Sequence, residues 1–270
     1  MVVLKALFVG GPGGETYHTL YSRLPEFEER TGVKVNVADK MFYPDLYARL
    51  AKELEKGPLD YDVLSAHTSF VGSHSQFYMP LDKHFTEEEL QDFTPMLIKA
   101  SKFRGGLTQI PRHVDVRIMH YRADLFNDPK ERGSFKAQFG YDLKPPEDWN
   151  QLRDVAQFFT RPPNLYGFAF VGRRHPLAGT FMEMLASCGG CLTDENGKPA
   201  FNNESGKQAL QFMVNLHRGW KVTPPNLPDY MYEDVSAAFR EGRVAMVFDW
   251  PGEYGQLKDA KKSKVVGKVG

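Results

Sequence analysis

The chain has 270 residues, more than one hydrophobic core usually organises, so two lobes are expected. Lys and Arg together number 34 and so do Asp and Glu, a formal net charge of zero that offers no basic face for nucleic acid or anionic lipid. Hydrophobic residues make up 41% and aromatics 13%, yet no apolar run approaches the roughly 20 residues that a membrane-spanning helix needs.

The opening "MVVLKALFVGGPGG" has neither the basic start nor the small-residue cleavage site of a signal peptide, and reads as a first strand that stops at glycines. Tyr17, Leu20, Leu24 and Phe27 then recur at helical spacing up to Gly32. "VKVNVAD" alternates as a strand, "YPDLYARLAKELEKG" returns to helix and ends at Gly57, and "YDVLSA" reads as a third strand. Strand, helix, strand, helix, strand predicts an α/β lobe with a parallel sheet covered on both faces. The glycine-rich "GGPGGETYH" after the first strand matches neither phosphate-binding glycine pattern, so nucleotide binding is not supported.

From Gly105 to Tyr121, "GGLTQIPRHVDVRIMHY", two strand-like pieces flank a Pro-Arg-His break, either as a hairpin of the first lobe or as a strand that leaves it for a second one. Strict alternation there would put His113, Asp115 and Arg117 on one face, where an internal ion pair competes with any binding role. Beyond it, helices are expected near 148–160, 177–188, 204–219 and 232–241, interleaved with the strands "YGFAF" and "RVAMVFD". Cys188 and Cys191 form a C-x-x-C pair that fits a redox centre, half a zinc site, a short disulfide or two inert thiols; with no second pair and no spaced histidines, zinc is disfavoured.

The run "FNNESGKQALQFMVNLHRGWKVTPP" followed by "YEDVSAAFREGRVAMVFDWPGEYGQL" resembles the bacterial extracellular solute-binding proteins of the carbohydrate-uptake ABC transporter type, family 1. The residues that carry the resemblance are Gly189 and Gly190, then Ala209, Leu210 and Phe212, then Phe239, Gly242, Ala245 and Met246. "PEFEERTGVKVNV", "YDVLSAHTSF", "MPLDKHF", "IPRHVDVRIMHYRADLF" and "PPEDWNQL" fall upstream in the expected order. The resemblance implies an α/β, periplasmic-binding-protein-like fold of the class II type, two lobes with a cleft between them. It places the first lobe at 1–111, the crossover at about 110–117, a helix-rich second lobe at 118–262 and the start of a return strand to the first lobe at 263–270. Proteins of this kind are usually longer, so the sequence is expected to be C-terminally truncated and to lack its targeting segment. Trp149 and Trp220 correspond to packing positions.

What the resemblance implies for function is a non-enzymatic receptor without cofactor or metal, monomeric, and periplasmic or membrane-associated outside the cell. Its ligand would be a sugar or oligosaccharide captured between the lobes, and its partners the permease subunits of an ABC transporter. Contacts are then expected from polar and aromatic residues just after strands. After the first strand these are Glu15, Tyr17 and His18, where Glu15 equally suits a helix N-terminus. After the third they are His67, Thr68 and Ser69, where a helix cap is the competing role. The crossover offers Arg112, His113 and Asp115, and "FVGRRHPLAG" offers Arg173, Arg174 and His175 for hydroxyls or a carboxylate.

The strongest candidate is "GRVAMVFDWPGEYG", in which an apolar strand stops at Asp249-Trp250-Pro251 and runs on through Gly252 to Tyr254. Trp250 would supply a ring platform and Asp249 a partner for a hydroxyl pair; an indole folded back over the preceding helix is the alternative. Two other functions stay open: a receptor of the same fold for an acidic or phosphorylated polyol or another solute, favoured by Arg112, Arg173 and Arg174, and a carbohydrate hydrolase using Asp115 and Glu15. No G-x-S-x-G nucleophile pattern supports the hydrolase. Export to an oxidising space would favour a local disulfide between Cys188 and Cys191.

Overall fold

A computed structural model describes residues 1–10, 15–41, 43–68, 71–114 and 116–270, and for residues 15–19, 39–41, 43, 44, 174 and 175 the backbone alone. Of the candidate residues, Ser69 and Asp115 lie outside the described residues, as do the side chains of Glu15, Tyr17, His18, Arg174 and His175. The chain divides into two compact units, Met1–Val114 and Asp115–Gly270.

In the first unit β1 (Val3–Val9), β2 (Lys34–Met41) and β3 (Val63–Leu64) form a parallel sheet in the order β2-β1-β3. Successive side chains of a strand point to opposite faces, and the contacts of β1 follow that rule. Leu7 and Val9 pack with Leu46 and Leu50 of the helix Tyr43–Leu54, while Phe8 meets Tyr21 of the helix Glu15–Thr31 with ring centroids 6.3 Å apart. The sheet is therefore covered on both faces. β3 is shorter than the six residues expected of "YDVLSA": the amide of Val9 donates to the Ser65 hydroxyl at 3.1 Å, so a side chain takes the place of the next ladder bond. The first strand-like piece of the 105–121 region is one arm of a small hairpin, β4 (Lys102–Phe103) with β5 (Gly106–Leu107), turned by Arg104 and Gly105 at positive φ.

The second piece opens the other unit as β6 (Ile118–Tyr121). It pairs antiparallel with β8 (Val244–Asp249), and β7 (Tyr166–Ala169) pairs parallel on the other side, giving the order β6-β8-β7. Helices Trp149–Phe159, Arg174–Ser187, Glu204–Val214 and Tyr232–Arg240 stand where the apolar periods put them. β8 is buried on both faces, which is why it reads as an unbroken apolar run rather than an alternating one. Gly167 lets β7 press on the helix Trp149–Phe159: a Cβ there would stand 1.9 Å from the Ala156 carbonyl oxygen. Trp149 packs edge-on against Phe212 and Phe248, each at 5.7 Å, and Trp220 against Phe212 at 5.1 Å, so both indoles serve the core.

The last residues stay with this unit. Lys264 donates its amide to the Arg240 carbonyl at 2.8 Å, and Gly270 exchanges two backbone hydrogen bonds with Tyr121, at 3.0 and 3.1 Å. The disulfide expected between Cys188 and Cys191 is not formed; both are free thiols. Cys188 ends the helix Arg174–Ser187 and packs against the core, Gly189 then turns at positive φ, and Cys191 emerges exposed, so the turn places the two sulfurs in different environments. Among the described residues no helix is long and apolar enough to cross a membrane.

Candidate functional site

β8 ends at Asp249 for local reasons. The Trp250 amide turns to the Asp249 side chain, Oδ1 at 2.9 Å, and Pro251 has no amide to continue a ladder. Trp250 instead starts the short turn Pro251–Glu253, whose Glu253 amide donates back to the Trp250 carbonyl at 3.0 Å. The half-buried indole leans on Tyr232, the first residue of the helix Tyr232–Arg240, with ring centroids 6.3 Å apart and planes at 56°. Tyr254, 50% exposed, follows one turn later with the Lys258 ammonium 4.6 Å above its ring, and Gly252 between them is exposed.

Asp249 differs from the expectation for it. It is 4% exposed, and besides the Trp250 amide it accepts a hydrogen bond from the Ser236 hydroxyl through Oδ2. Both oxygens are engaged inside the unit, so the carboxylate supports the loop and does not offer itself to a hydroxyl pair. Burial pushes its pKa up to about 6, against the pull of the Ser236 and Trp250 hydrogen bonds and of the Arg240 and Arg117 charges.

Around it stands a set of groups that sequence reasoning missed. Arg240, almost fully buried, donates through Nη1 to Glu253 at 3.0 Å and through Nη2 to Glu233. Burial also raises Glu253, with the Asp249 and Glu233 charges acting in the same direction and Arg240 against them. His120 of β6 brings Nε2 within 3.3 Å of the Trp250 carbonyl oxygen, as a donor when its proton sits on that nitrogen; burial lowers its pKa. Tyr232, Ser236 and Arg240 stand at i, i+4 and i+8 on one helix face, a signal present in "YEDVSAAFR". His120 left no signal, because only the β6–β8 register brings together residues 130 apart in sequence.

Of the remaining candidates, Glu15, Tyr17 and His18 fall at the start of the helix Glu15–Thr31 and Arg174 and His175 at the start of the helix Arg174–Ser187, while His67, Thr68, Arg112, His113 and Arg173 stand in separate loops. Residues 111–114, 116 and 117 form no strand, so the alternation argument finds no support there, and Arg117 pairs with Glu183 of the helix Arg174–Ser187 (Nε to Oε1, 2.8 Å) and with the Thr180 hydroxyl at 3.1 Å. Gly172, whose Cβ would lie 1.8 Å from the Leu227 carbonyl oxygen, holds the loop before that helix against residues 227–230. Arg173 follows it with Nε buried and, among the described residues, without a hydrogen-bond partner. In the first unit His67 and Thr68 are exposed after β3, and Arg112 and His113 line a groove with Asp92, Phe93, Thr94 and Leu97. Among the described residues no cluster of His, Cys, Asp and Glu could hold a metal ion.

The structure thus brings Asp249, Trp250, Gly252 and Tyr254 together at the carboxyl end of β8. Known proteins share the sequence pattern and the fold. A "Probable ABC transporter-binding protein" of Deinococcus radiodurans is 27% identical over 83% of this chain and 52% of its own length. A mannitol-binding protein of Pseudomonas aeruginosa is 26% identical over 67% of this chain and 39% of its own length. Maltose-bound T. maritima MalE3 superimposes with a TM-score of 0.81 at 27% identity, covering 100% of this chain and 66% of that one. The chain spans about half the length or less of these curated relatives. The family described as bacterial extracellular solute-binding protein matches residues 23–269, and the chain belongs to that family.

Proposed function

We propose that the chain is the recognition part of a non-enzymatic extracytoplasmic receptor that captures a sugar or polyol and delivers it to ABC transporter permease subunits. The observation that carries this reading is the half-buried Trp250 at the carboxyl end of β8, its backbone held from both sides, with the exposed Tyr254 beside it. An aromatic face covers the apolar C–H side of a sugar ring, and hydroxyls are then taken by planar polar side chains. Charge-assisted hydrogen bonds of about 1.5–3 kcal/mol each, added to aromatic contact, reach the roughly 8 kcal/mol of a micromolar ligand. The mannitol and maltose ligands of similar proteins support the same class. In the first unit the contributors we infer are His67, Thr68 and Ser69 of the sequence that follows β3, and Arg112 and His113.

Calorimetric titration against a panel of maltose, maltotriose, mannitol and ribitol tests the reading. At least one should bind saturably, and Trp250→Ala should weaken it by about 1–3 kcal/mol with little change in melting temperature. Turnover of chromogenic glycosides at catalytic protein levels would instead make the chain an enzyme. A second ligand class, an acidic or phosphorylated polyol, is favoured by the unpartnered Nε of Arg173. Tighter binding of mannitol 1-phosphate than of mannitol, lost in Arg173→Gln, would select it.

A further inference from the structure

Beneath the Trp250 loop lies a chain of polar contacts that has more connections than a strand end requires. The Ser236 hydroxyl lies in reach of two acceptors, Asp249 Oδ2 and the Tyr232 carbonyl oxygen at 3.1 Å. Asp249 Oδ1 takes the Trp250 amide at 2.9 Å, and His120 Nε2 faces the Trp250 carbonyl at 3.3 Å. The tryptophan's own peptide groups are therefore gripped on both sides, from β6 and from the side chain that precedes it, while its ring rests on Tyr232. We propose that Asp249 and His120 are positioning residues that fix the Trp250 ring for ligand, and that protonation of Asp249 in mild acid loosens this grip and weakens binding. The inference rests on the reading of Trp250 as a ligand contact.

The proton step is local. A proton from solvent adds to Asp249 Oδ2, which becomes a donor to Ser236 Oγ; the serine hydroxyl turns its own proton to the Tyr232 carbonyl, an acceptor already in range. Ser236 thus accommodates both states, and what changes is the bond from Trp250, which passes from a charge-assisted contact with a carboxylate to a weaker one with a neutral carboxyl. Among the described residues the charged groups that act on Asp249 are Arg240 from the helix Tyr232–Arg240, Arg117 from the segment before β6, and Glu253 from the turn that follows; Glu233 lies one step further out, against Arg240 and Glu253, and His120 of β6 faces the Trp250 carbonyl and Glu253. Arg117 is itself tied to Glu183 and Thr180. Burial has already raised Asp249 to about 6, which puts the change in the range of mild acidification.

The test uses the full chain and reads Trp250 with and without ligand. Subtracting the fluorescence of Trp250→Phe from that of the parent chain isolates Trp250 from the other two tryptophans. Without sugar, this difference signal should change in one step between pH 7 and pH 5. The step should vanish in Asp249→Asn and move to higher pH in Ser236→Ala, which removes a bond that favours the ionised form; should Asp249→Asn fail to fold, the Ser236→Ala shift decides. Glu253→Gln should keep the step. His120→Gln should keep it also, but with a Trp250 signal already altered at pH 7. A flat signal, a step that persists in Asp249→Asn, or one that only Glu253→Gln removes would overturn the proposal. With maltose or mannitol, affinity should fall about fivefold from pH 7 to pH 5, the difference between a charge-assisted and a neutral bond, and Asp249→Asn should be flat. If no member of the maltose, maltotriose, mannitol and ribitol panel binds while the fluorescence step remains, the sugar-receptor reading fails and the positioning stands. If sugar binds with equal affinity at both pH values, the positioning fails and the receptor reading stands.

Discussion

The central strand of the second unit, β8, is fully buried from Val244 to Val247, whereas β1, central in the first unit, starts 51% exposed at Val3 and closes only at Ala6. Around β8 the aromatic side chains of Phe168, Phe239 and Phe248 and the helices Trp149–Phe159 and Tyr232–Arg240 exclude water. Around β1 the described core is the small cluster of Leu7, Val9, Leu46 and Leu50, with Val63, Phe77, Met79 and Met96 exposed elsewhere in the unit. Enclosure determines what a strand end can do. Where β8 leaves its core, the first polar residue is still inside, so Asp249 must find partners and in doing so fixes the loop beyond it. Where β3 leaves the first sheet, His67 and Thr68 are already in solvent, and packing holds them less.

The largest expected effect is therefore in the second core. Phe168→Ala should cost about 3–5 kcal/mol of stability, read by denaturant unfolding, and should strip amide-exchange protection from β7 and β8. Leu50→Ala should cost about 2–5 kcal/mol and expose the amides of β1 and β2 while leaving β8 protected. Loss of β8 protection in Leu50→Ala would show that the two units melt as one block and would end the comparison.

Next comes the pH dependence of Asp249. Its folded pKa of about 6 lies above its value of 3.8 in the unfolded chain, so its contribution to stability is fully present below pH 4 and is lost as pH rises through 6. Measured against Asp249→Asn, the parent chain should lose up to about 3 kcal/mol between pH 4 and pH 7. A constant difference across that range would mean that the carboxyl is not held in a dry site. The smallest effect belongs to the first unit. Thr86→Ala removes the capping box in which Thr86 and Glu89 satisfy each other's backbone amides, and should cost about 1 kcal/mol.

Much of this architecture was legible because apolar period follows enclosure. The unbroken run of β8, the helical spacing around Ser236 and Phe239, and the alternation of strands and helices in the first unit all express which faces are dry. The place of Trp250 just past β8 was legible for the same reason, whereas the lean of its ring on Tyr232 corresponds to the alternative in which the indole folds back on the preceding helix. Asp249 was misread because a carboxylate at a strand end looks solvated, and nothing in its immediate sequence says that Ser236, thirteen residues earlier, lies against it. His120 and Arg117 depend on strand register and on packing against a distant helix, which local sequence does not encode. The cysteine pair was misread because spacing alone does not reveal that a left-handed Gly189 separates a packed sulfur from an exposed one.

The central claim is that the carboxyl end of β8 presents Trp250 to a sugar. Its most direct test is calorimetric titration of the chain and of Trp250→Ala with the sugar-and-polyol panel, with melting temperatures taken on the same samples. The account predicts saturable binding of at least one ligand, weakened roughly 5- to 150-fold in Trp250→Ala, with the two melting temperatures close together. Unchanged affinity with a large fall in melting temperature would make Trp250 a core residue and contradict the account.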